Sequence, residues 1–592
     1  MIRAEYDPCS TFFKNPTGGV AVGEEFTVRL VTSGGDEAAF VIKKEGEGER
    51  AVRYPMRKTD DGFEWSMHVD SRGLYFYYFE VSEYGKTTAF YADENLCACR
   101  AGENWQLTAY EKTDVPVLAG GGIIYQIMVD RFATGKERFR TKSGAVYRDD
   151  WGAAPYYTAD ENGIVPNNDM FGGNLYGVAD KLDYLKSLNV KVIYLNPIFE
   201  AASNHKYDTG NYRKADEDFG GDKALDYLIK KAKKRGIKII LDGVFSHTGA
   251  DSIYFNRYGN YDSVGAYQSE KSPYYGWYSF RSFPDDYDCW WGVKLLPCVI
   301  ETDPVYDEFI NGEEGIVRTW LRRGIAGWRL DVADELPDAF LDRLCRAAKK
   351  VDPDAVVLGE VWEDASNKVA YSYRRRYLLG GQLDSVTNYP FKNAVLDFAK
   401  NADASALVNT VRSIVNNYPP AVLNNLMNML STHDTVRALT ALSSDPVPDS
   451  KEERKNYRMK DYDRACRLLR LAAAVIYCLP GVPCVYYGDE AGMQGYEDPF
   501  NRRCYPWGEE DKNLVSYFRV LGKLRRKKEL NGGSADISSP AVGVAEIVRG
   551  GKLKLIANAS SSPYKIDRTR DLITGDEYTV VLPETAILIR LK

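Results

Sequence analysis

The chain is sparing with histidine, using four in 592 residues, and no His-x-His pair occurs to suggest a metal-dependent hydrolase centre. Ten cysteines, at 9, 97, 99, 289, 298, 345, 466, 478, 484 and 504, include no Cys-x-x-Cys pair. Cys97-Ala-Cys99 has no second half, which argues against structural zinc. Several thiols fall in apolar runs such as Val-Ile-Tyr-Cys (475–478), where cysteine packs as a small hydrophobe. A reducing, cytoplasmic location is therefore expected. No apolar run is long enough to cross a bilayer, and the opening Met-Ile-Arg-Ala-Glu-Tyr-Asp has no apolar signal core. No membrane association is expected, and secretion would require a leader already removed. Net charge is −7 with both signs interspersed, so no polybasic footprint points to nucleic acid. No glycine-rich phosphate turn follows an early strand, which argues against a doubly wound dinucleotide fold.

What is present is a globular composition, 44% hydrophobic and 27% charged, in a chain too long for one domain. Aromatics reach 13%, with 42 Tyr and 10 Trp. Most must be filler, but flat rings with a polar edge also suit stacking on sugars.

Residues 1–118 read as a β-sandwich. Runs at Phe26–Val31, Ala39–Ile42 and Leu74–Val81 are separated by Gly-Gly, Asp-Asp-Gly and Arg-Gly turns. Val115–Gly122 reads as a linker. From 119 to 528 apolar strands alternate with helices. The strand candidates are Ile123–Val129, Val190–Ile198, Ile237–Val244, Ile325–Val332, Ala355–Val361, Leu383–Tyr389, Leu426–Leu430 and Val482–Tyr487. Helical spacing marks 222–236, with Gly236 as a stop, and 463–479. The class is α/β, and eight strands predict a (β/α)8 TIM barrel. The connection after barrel strand three is far too long, so 248–304 is expected to be an inserted excursion walling a cleft. Its Tyr and Trp cluster at 274–291 fits a packed subdomain core or a sugar platform equally. Residues 529–592 return to short strands and predict a C-terminal β-sandwich.

Charged residues cluster where those strands end. Asp242 and His247 end strand three, Arg329 and Asp331 strand four, Glu360 strand five, and His433 with Asp434 follow strand seven. In a parallel barrel these ends form the active face. Alternation along Gly-Trp-Arg-Leu-Asp-Val (327–332) puts Arg329 and Asp331 on one face and Trp328, Leu330 and Val332 on the other. The adjacent guanidinium is expected to keep Asp331 ionised. Leu358, Val361 and Trp362 flank Glu360, so its carboxyl is expected to be raised into general-acid range. Two oppositely tuned carboxyls about 5–5.5 Å apart would cleave a glycosidic bond with retention through a covalent intermediate. Asp434 would bind sugar hydroxyls. His247 and His433 would lie near the cleaved bond, and Tyr207 would stack on a ring. Asp242 reads as structural, bracing Arg329. Taken singly, an Arg-x-Asp strand or a His-Asp pair is ordinarily an ion pair or a cap; the set in order carries the reading.

As a set, these segments resemble the α-amylase family, glycoside hydrolase family 13, over about 123–510. The segments are Asp242–His247, Gly327–Asp331, Gly359–Trp362 and Ser431–Asp434, flanked by Tyr125–Phe132, Phe171–Gly177 and Gly481–Glu490. The resemblance implies Asp331 as nucleophile, Glu360 as acid/base and Asp434 as transition-state stabiliser. It implies Arg329, His247, His433, His205, Tyr207 and Tyr125 as substrate-binding residues; Trp362, read from its own position, is expected to form a subsite wall. Asn204-His-Lys-Tyr-Asp (204–208), Trp290-Trp-Gly and Glu363–Lys368 resemble the neopullulanase, cyclomaltodextrinase and amylopullulanase group. By that likeness Asp498 and Arg502 border the donor subsites, and the first unit resembles a family 34 carbohydrate-binding module that also mediates homodimers. No cofactor is expected. The group's calcium site after barrel strand one has lost its usual ligands, with Thr134, Lys136 and Asn174 in their place, and lysine cannot ligate calcium. Asp160-Glu-Asn and Asn167-Asn-Asp nearby read as solvated loop. Ile300 stands where the group usually has Asn, so no substrate preference carries over from Leu296–Glu301.

The function expected is a retaining hydrolase of α-1,4-glucosidic bonds, and of α-1,6 bonds, in maltooligosaccharides, cyclodextrins, pullulan or starch. The alternatives are a transglycosylase on the same substrates, a non-catalytic sugar-binding protein on the same scaffold, and a metal-dependent barrel hydrolase using Asp242, His247, His433 and Asp434.

Overall fold

A computed structural model describes residues 2–46, 50–161, 163, 165–532 and 535–591. Asn162 of the acidic loop lies outside them. The first unit is two facing antiparallel sheets. One is centred on Glu25–Thr32 and Gly62–His68, the other on Glu37–Lys44, Gly73–Glu83 and Trp105–Tyr110. Alternation along Glu25–Thr32 buries Phe26, Val28 and Leu30 against Phe40, Phe79 and Trp105 from the facing sheet.

The barrel strands are β1 (Ile123–Ile127), β2 (Val190–Leu195), β3 (Lys238–Gly243), β4 (Gly327–Leu330), β5 (Val356–Gly359), β6 (Ser385–Val386), β7 (Met427–Met429) and β8 (Val482–Tyr486). They pair in parallel in the order β6-β5-β4-β3-β2-β1-β8-β7, and a parallel bridge from Thr387 to Met427 closes the ring. All eight fall inside the segments expected from sequence, each a little shorter. Both faces of such strands are buried, which is why they read as apolar runs. Period-two alternation sorts them into two layers. Ile124, Val192, Tyr194, Ile240, Val356 and Leu358 fill the lumen. Ile127, Ile193, Leu241, Trp328 and Leu330 pack outward on the helices. Each fully buried aliphatic side chain contributes about 1.5–3 kcal/mol. Gly327 admits no side chain, because a Cβ there would lie 2.2 Å from the Val356 carbonyl oxygen.

The segment at 115–122 does more than link. Leu118 and Ala119 are buried within the lumen cluster. Asn425 holds them there, donating to the Pro116 carbonyl at 2.8 Å and accepting from the Leu118 amide at 3.0 Å. Gly and Pro punctuation disguised an apolar plug for the barrel floor.

The two helices expected by spacing form at Gly221–Lys233 and Tyr462–Cys478. The aromatic cluster of the excursion divides. Trp277, Tyr278 and Tyr287 are core, whereas Trp290 and Trp291 line the cleft. The last unit is a four-stranded antiparallel sheet facing the hairpin Tyr564–Arg570/Glu577–Val581, with Val544, Ile556, Val581 and Ile587 between. Its edge strands include Ala535–Ala541 in the sheet and Tyr564–Arg570 in the hairpin. Arg549 ties the unit to the barrel by donating to the Cys478 carbonyl at 2.7 Å.

Candidate active site

The lumen alternation continues past the strand ends, and there it turns polar. Two residues beyond Ile124 comes Gln126, beyond Tyr194 Asn196, beyond Ile240 Asp242, beyond Leu358 Glu360 and beyond Ser431 His433. Arg329 and Asp331 continue the same face on β4. Asp331, Glu360 and His433 line a cleft of about 1510 Å³, while Gln126, Asn196, Asp242 and Arg329 hydrogen-bond its lining residues from below; its walls include the excursion, the hairpin Phe199–Ala201/Thr209–Ala215 and the 362–368 loop.

Arg329 is the hub. It is 2% exposed, and its Nη1 donates to Asp242 Oδ1 at 2.8 Å and Asp331 Oδ1 at 2.9 Å. Its Nη2 lies 2.7 Å from Glu360 Oε2. One guanidinium thus holds both candidate catalytic carboxyls on one wall, bounding their nearest oxygens to within about 8 Å. Asp331, Glu360 and Asp434 all line the cleft. Directly after Asp331 the chain bends through Val332, whose φ of 33° is a costly conformation for a β-branched residue. The bend points the Val332 amide at Glu360 Oε2, 2.9 Å away.

The opposite tuning of Asp331 and Glu360 is corrected. Burial pushes the Asp331 carboxyl well up; Arg329 opposes this, while the charges of Glu360, Asp242 and Asp434 add to it. Nor does Glu360 sit in an apolar niche. It accepts from the Val332 amide and from Trp362 Nε1 at 3.1 Å, besides its pairing with Arg329. The mistake was local: flanking residues suggested an apolar setting, but the partners arrive from β4. Asp434 is pushed up to about 7 by the enclosing walls and then by the Glu360 charge, though a third of its side chain (33%) stays open to the cleft. Burial likewise raises the Asp242 carboxyl, against the opposing Arg329 charge, so Asp242, Asp331 and Asp434 are all pushed up around the two guanidiniums of Arg329 and Arg502.

The three site histidines are neutral. Burial lowers His205 to about 3, helped by the Arg502 charge, and lowers His247 to about 4. Burial, helped by the Arg502 charge, also lowers His433 well below its ordinary value. Gln126 Nε2 donates to His433 Nδ1 at 2.9 Å, which leaves the proton on Nε2, facing the Tyr207 hydroxyl at 2.5 Å and Asp434 Oδ2 at 3.1 Å. The Tyr207 hydroxyl donates onward to Asp242 Oδ2 at 3.0 Å, so Tyr207 both lines the cleft and braces its floor. The Tyr207 and His433 rings lie parallel and offset, centroids 5.3 Å apart. His247 faces the Tyr207 carbonyl at 3.1 Å. Trp362, 44% exposed, stacks on Tyr389 at 4.0 Å and 8° and presents its other face to the cleft. Arg502 pairs with Asp498 at 3.2 Å and with Asp434 at 3.4 Å.

Tyr125 is a second correction. It is fully buried, donates to Glu490 Oε1 at 2.7 Å and does not line the cleft. It occupies the outward face of β1, the wrong parity for the lumen. Gln126, beside it, is on the lumen face and supports the site through its bond to His433. Gln126 and Asn196 were missed, although the alternation that found Arg329 and Asp331 would have found both.

A closed parallel barrel with three carboxyls converging at its strand ends, two of them sharing one arginine, defines the glycoside hydrolase class of (β/α)8 proteins. Sequence comparison narrows this. The alpha amylase catalytic domain profile matches residues 126–291 and 300–531, and the chain belongs to that family. It is 36% identical over 589 residues to an amylopullulanase of Thermoanaerobacter thermohydrosulfuricus, covering 89% of this chain and 39% of that protein. It is 32% identical over 488 residues to a cyclomaltodextrinase of Thermoanaerobacter pseudethanolicus, covering 79% of this chain and 75% of that one. A solved cyclomaltodextrinase superposes with a TM-score of 0.68 at 26% identity, covering 99% of this chain and 97% of that one. The chain spans less than half the length of amylopullulanases it matches, 31–45% of three of them.

Proposed function

We propose that the chain hydrolyses α-1,4-glucosidic bonds, and α-1,6 bonds, in maltooligosaccharides, cyclodextrins, pullulan or starch, with retention of anomeric configuration. The observation that carries this is the Arg329 bridge between Asp331 and Glu360 on the wall of a long cleft. Ionised Asp331 attacks the anomeric carbon. Glu360 delivers a proton to the departing oxygen, and the glucosyl group passes to Asp331. Glu360 then takes a proton from water, which attacks the same carbon and frees the sugar. Asp434, which lines the same cleft, stabilises the positive charge developing on the ring. Neutral His247 and His433 can hydrogen-bond hydroxyls, and Trp362 and Tyr207 present ring faces. The relatives named cyclomaltodextrinase, neopullulanase and amylopullulanase support the substrate class. Product analysis on pullulan and on cyclomaltodextrin tests the reading: linear maltooligosaccharides, panose or maltotriose support it, and no product from either substrate, or from starch, sinks it.

The reaction as read here needs no cofactor. Calcium after β1 does not fit the residues present. The Asn174 side chain is spent on a helix cap, accepting from Gly177 at 2.9 Å and donating to the Glu137 carbonyl at 2.9 Å. Among the described residues no group of three or more His, Cys, Asp or Glu side chains is placed to hold a metal. Two further readings are ours. The ten unpaired cysteines support a reducing, cytoplasmic compartment. The first unit's exposed Phe12 and Tyr84 suit contact with a second copy, which sedimentation would test. Among the described residues no helix is long and apolar enough to cross a membrane.

A further inference from the structure

Both ends of one glutamine in the first unit are committed to the active-site wall. Gln106, on strand Trp105–Tyr110, is 7% exposed. Its Nε2 donates to Ser366 Oγ at 2.8 Å and its Oε1 accepts from Asn367 Nδ2 at 2.9 Å. Ser366 and Asn367 belong to the loop that leaves β5 after Glu360 and carries Trp362, Glu363 and Lys368 along the cleft. Behind that loop a closed polar network completes the hold. Ser366 Oγ donates to Asp364 Oδ1 at 2.6 Å, and Asn417 donates to Asp364 Oδ2 at 2.8 Å. Asn416 returns to the Gln106 carbonyl at 3.2 Å, and Tyr418 receives the Ala365 amide at 2.8 Å. On the cleft side Lys368 reaches Asp334, 3.1 Å away, beside the Asp331 bend.

A second tie between the same units, Arg374 to Glu45 at 2.6 Å, is about a third exposed on both sides. Exposed pairs contribute roughly 0–1 kcal/mol, whereas a buried polar group left without its partner costs about 1–3 kcal/mol. Other bonds hold the same units together elsewhere, Lys14 to Asn416 at 3.2 Å and Asp7 to Arg412 at 2.7 Å among them, but Gln106 is the buried side chain that ties the first unit to the 362–368 loop itself.

We propose that Gln106 is a positioning residue: the N-terminal unit, through the side chain of Gln106, sets the 362–368 wall of the same chain's cleft and thereby its affinity for glucan. The inference rests on the hydrolase reading. It does not require a second copy or sugar binding by the N-terminal unit itself.

The test compares the full wild-type chain with Gln106→Ala and Glu45→Gln, using steady-state hydrolysis of cyclomaltodextrin and amide hydrogen exchange. For Gln106→Ala, KM should rise about five- to thirty-fold with kcat within about two-fold, as for a lost binding contact. Exchange should accelerate in 362–368 while the β4 peptide stays protected. Glu45→Gln should match wild type. Unchanged KM and unchanged exchange in 362–368 overturn the proposal, as does exchange that accelerates across the whole chain. If Gln106→Ala does not fold, Ser366→Ala, which removes only the bridging hydroxyl, decides by the same two readings. A wild-type chain that turns over no glucan sinks the functional reading instead, and the exchange comparison still decides the clamp.

Discussion

Arg329→Lys isolates what the hub does. The guanidinium reaches Asp242 and Asp331 through Nη1 and Glu360 through Nη2. A lysine keeps the charge but has one nitrogen on a flexible stem, so it can serve one wall of the cluster and not both. With the ammonium on Asp242, the charge-assisted bonds to Asp331 and to Glu360 are both lost. At about 1.5–3 kcal/mol each, the alignment of nucleophile and acid loses about 3–6 kcal/mol. If that loss falls on the transition state, kcat/KM drops about 10²- to 10⁴-fold. Reducing-sugar release from cyclomaltodextrin, at matched melting temperature, is the assay. The pH profile should move too: weaker compensation of Asp331 raises its pKa further, so the acid limb of activity shifts to higher pH. A folded Arg329→Lys variant within ten-fold of wild type, with an unmoved acid limb, would refute the bridging argument.

Three more outcomes follow from the site. Asp434 is raised to about 7, so its contribution to stability falls as pH rises from the ordinary carboxyl range to about 7 and stays low above that. Asp434→Asn should therefore melt higher than wild type at pH 8, match it near pH 4, and lose hydrolysis at both, as differential scanning calorimetry and product assay would show. Tyr125→Phe should lower the melting temperature by removing the hydrogen bond to buried Glu490, yet leave KM unchanged; a raised KM would restore Tyr125 to the substrate. Dialysis against chelator should leave hydrolysis intact, and restoration by calcium of a lost activity would contradict the reading of the β1 loop.

The fold was legible because parallel barrel strands are buried on both faces and announce themselves as apolar runs. Arg329, Asp331 and Glu360 were legible because strand parity is local. What escaped depended on partners distant in sequence. Leu118 and Ala119 look like linker until the lumen they plug is assembled. The surroundings of Glu360 were misjudged because Arg329 and the Val332 amide come from the neighbouring strand. Tyr125 was misassigned because its motif was followed and its parity was not.

The account stands on covalent chemistry at one oxygen pair. Incubation with a slow-reacting fluorinated α-glucosyl donor, followed by peptide mass spectrometry, should find the sugar on Asp331, with proton NMR showing the α-anomer released first. A label on any other residue, or a β-anomer released first, would contradict it.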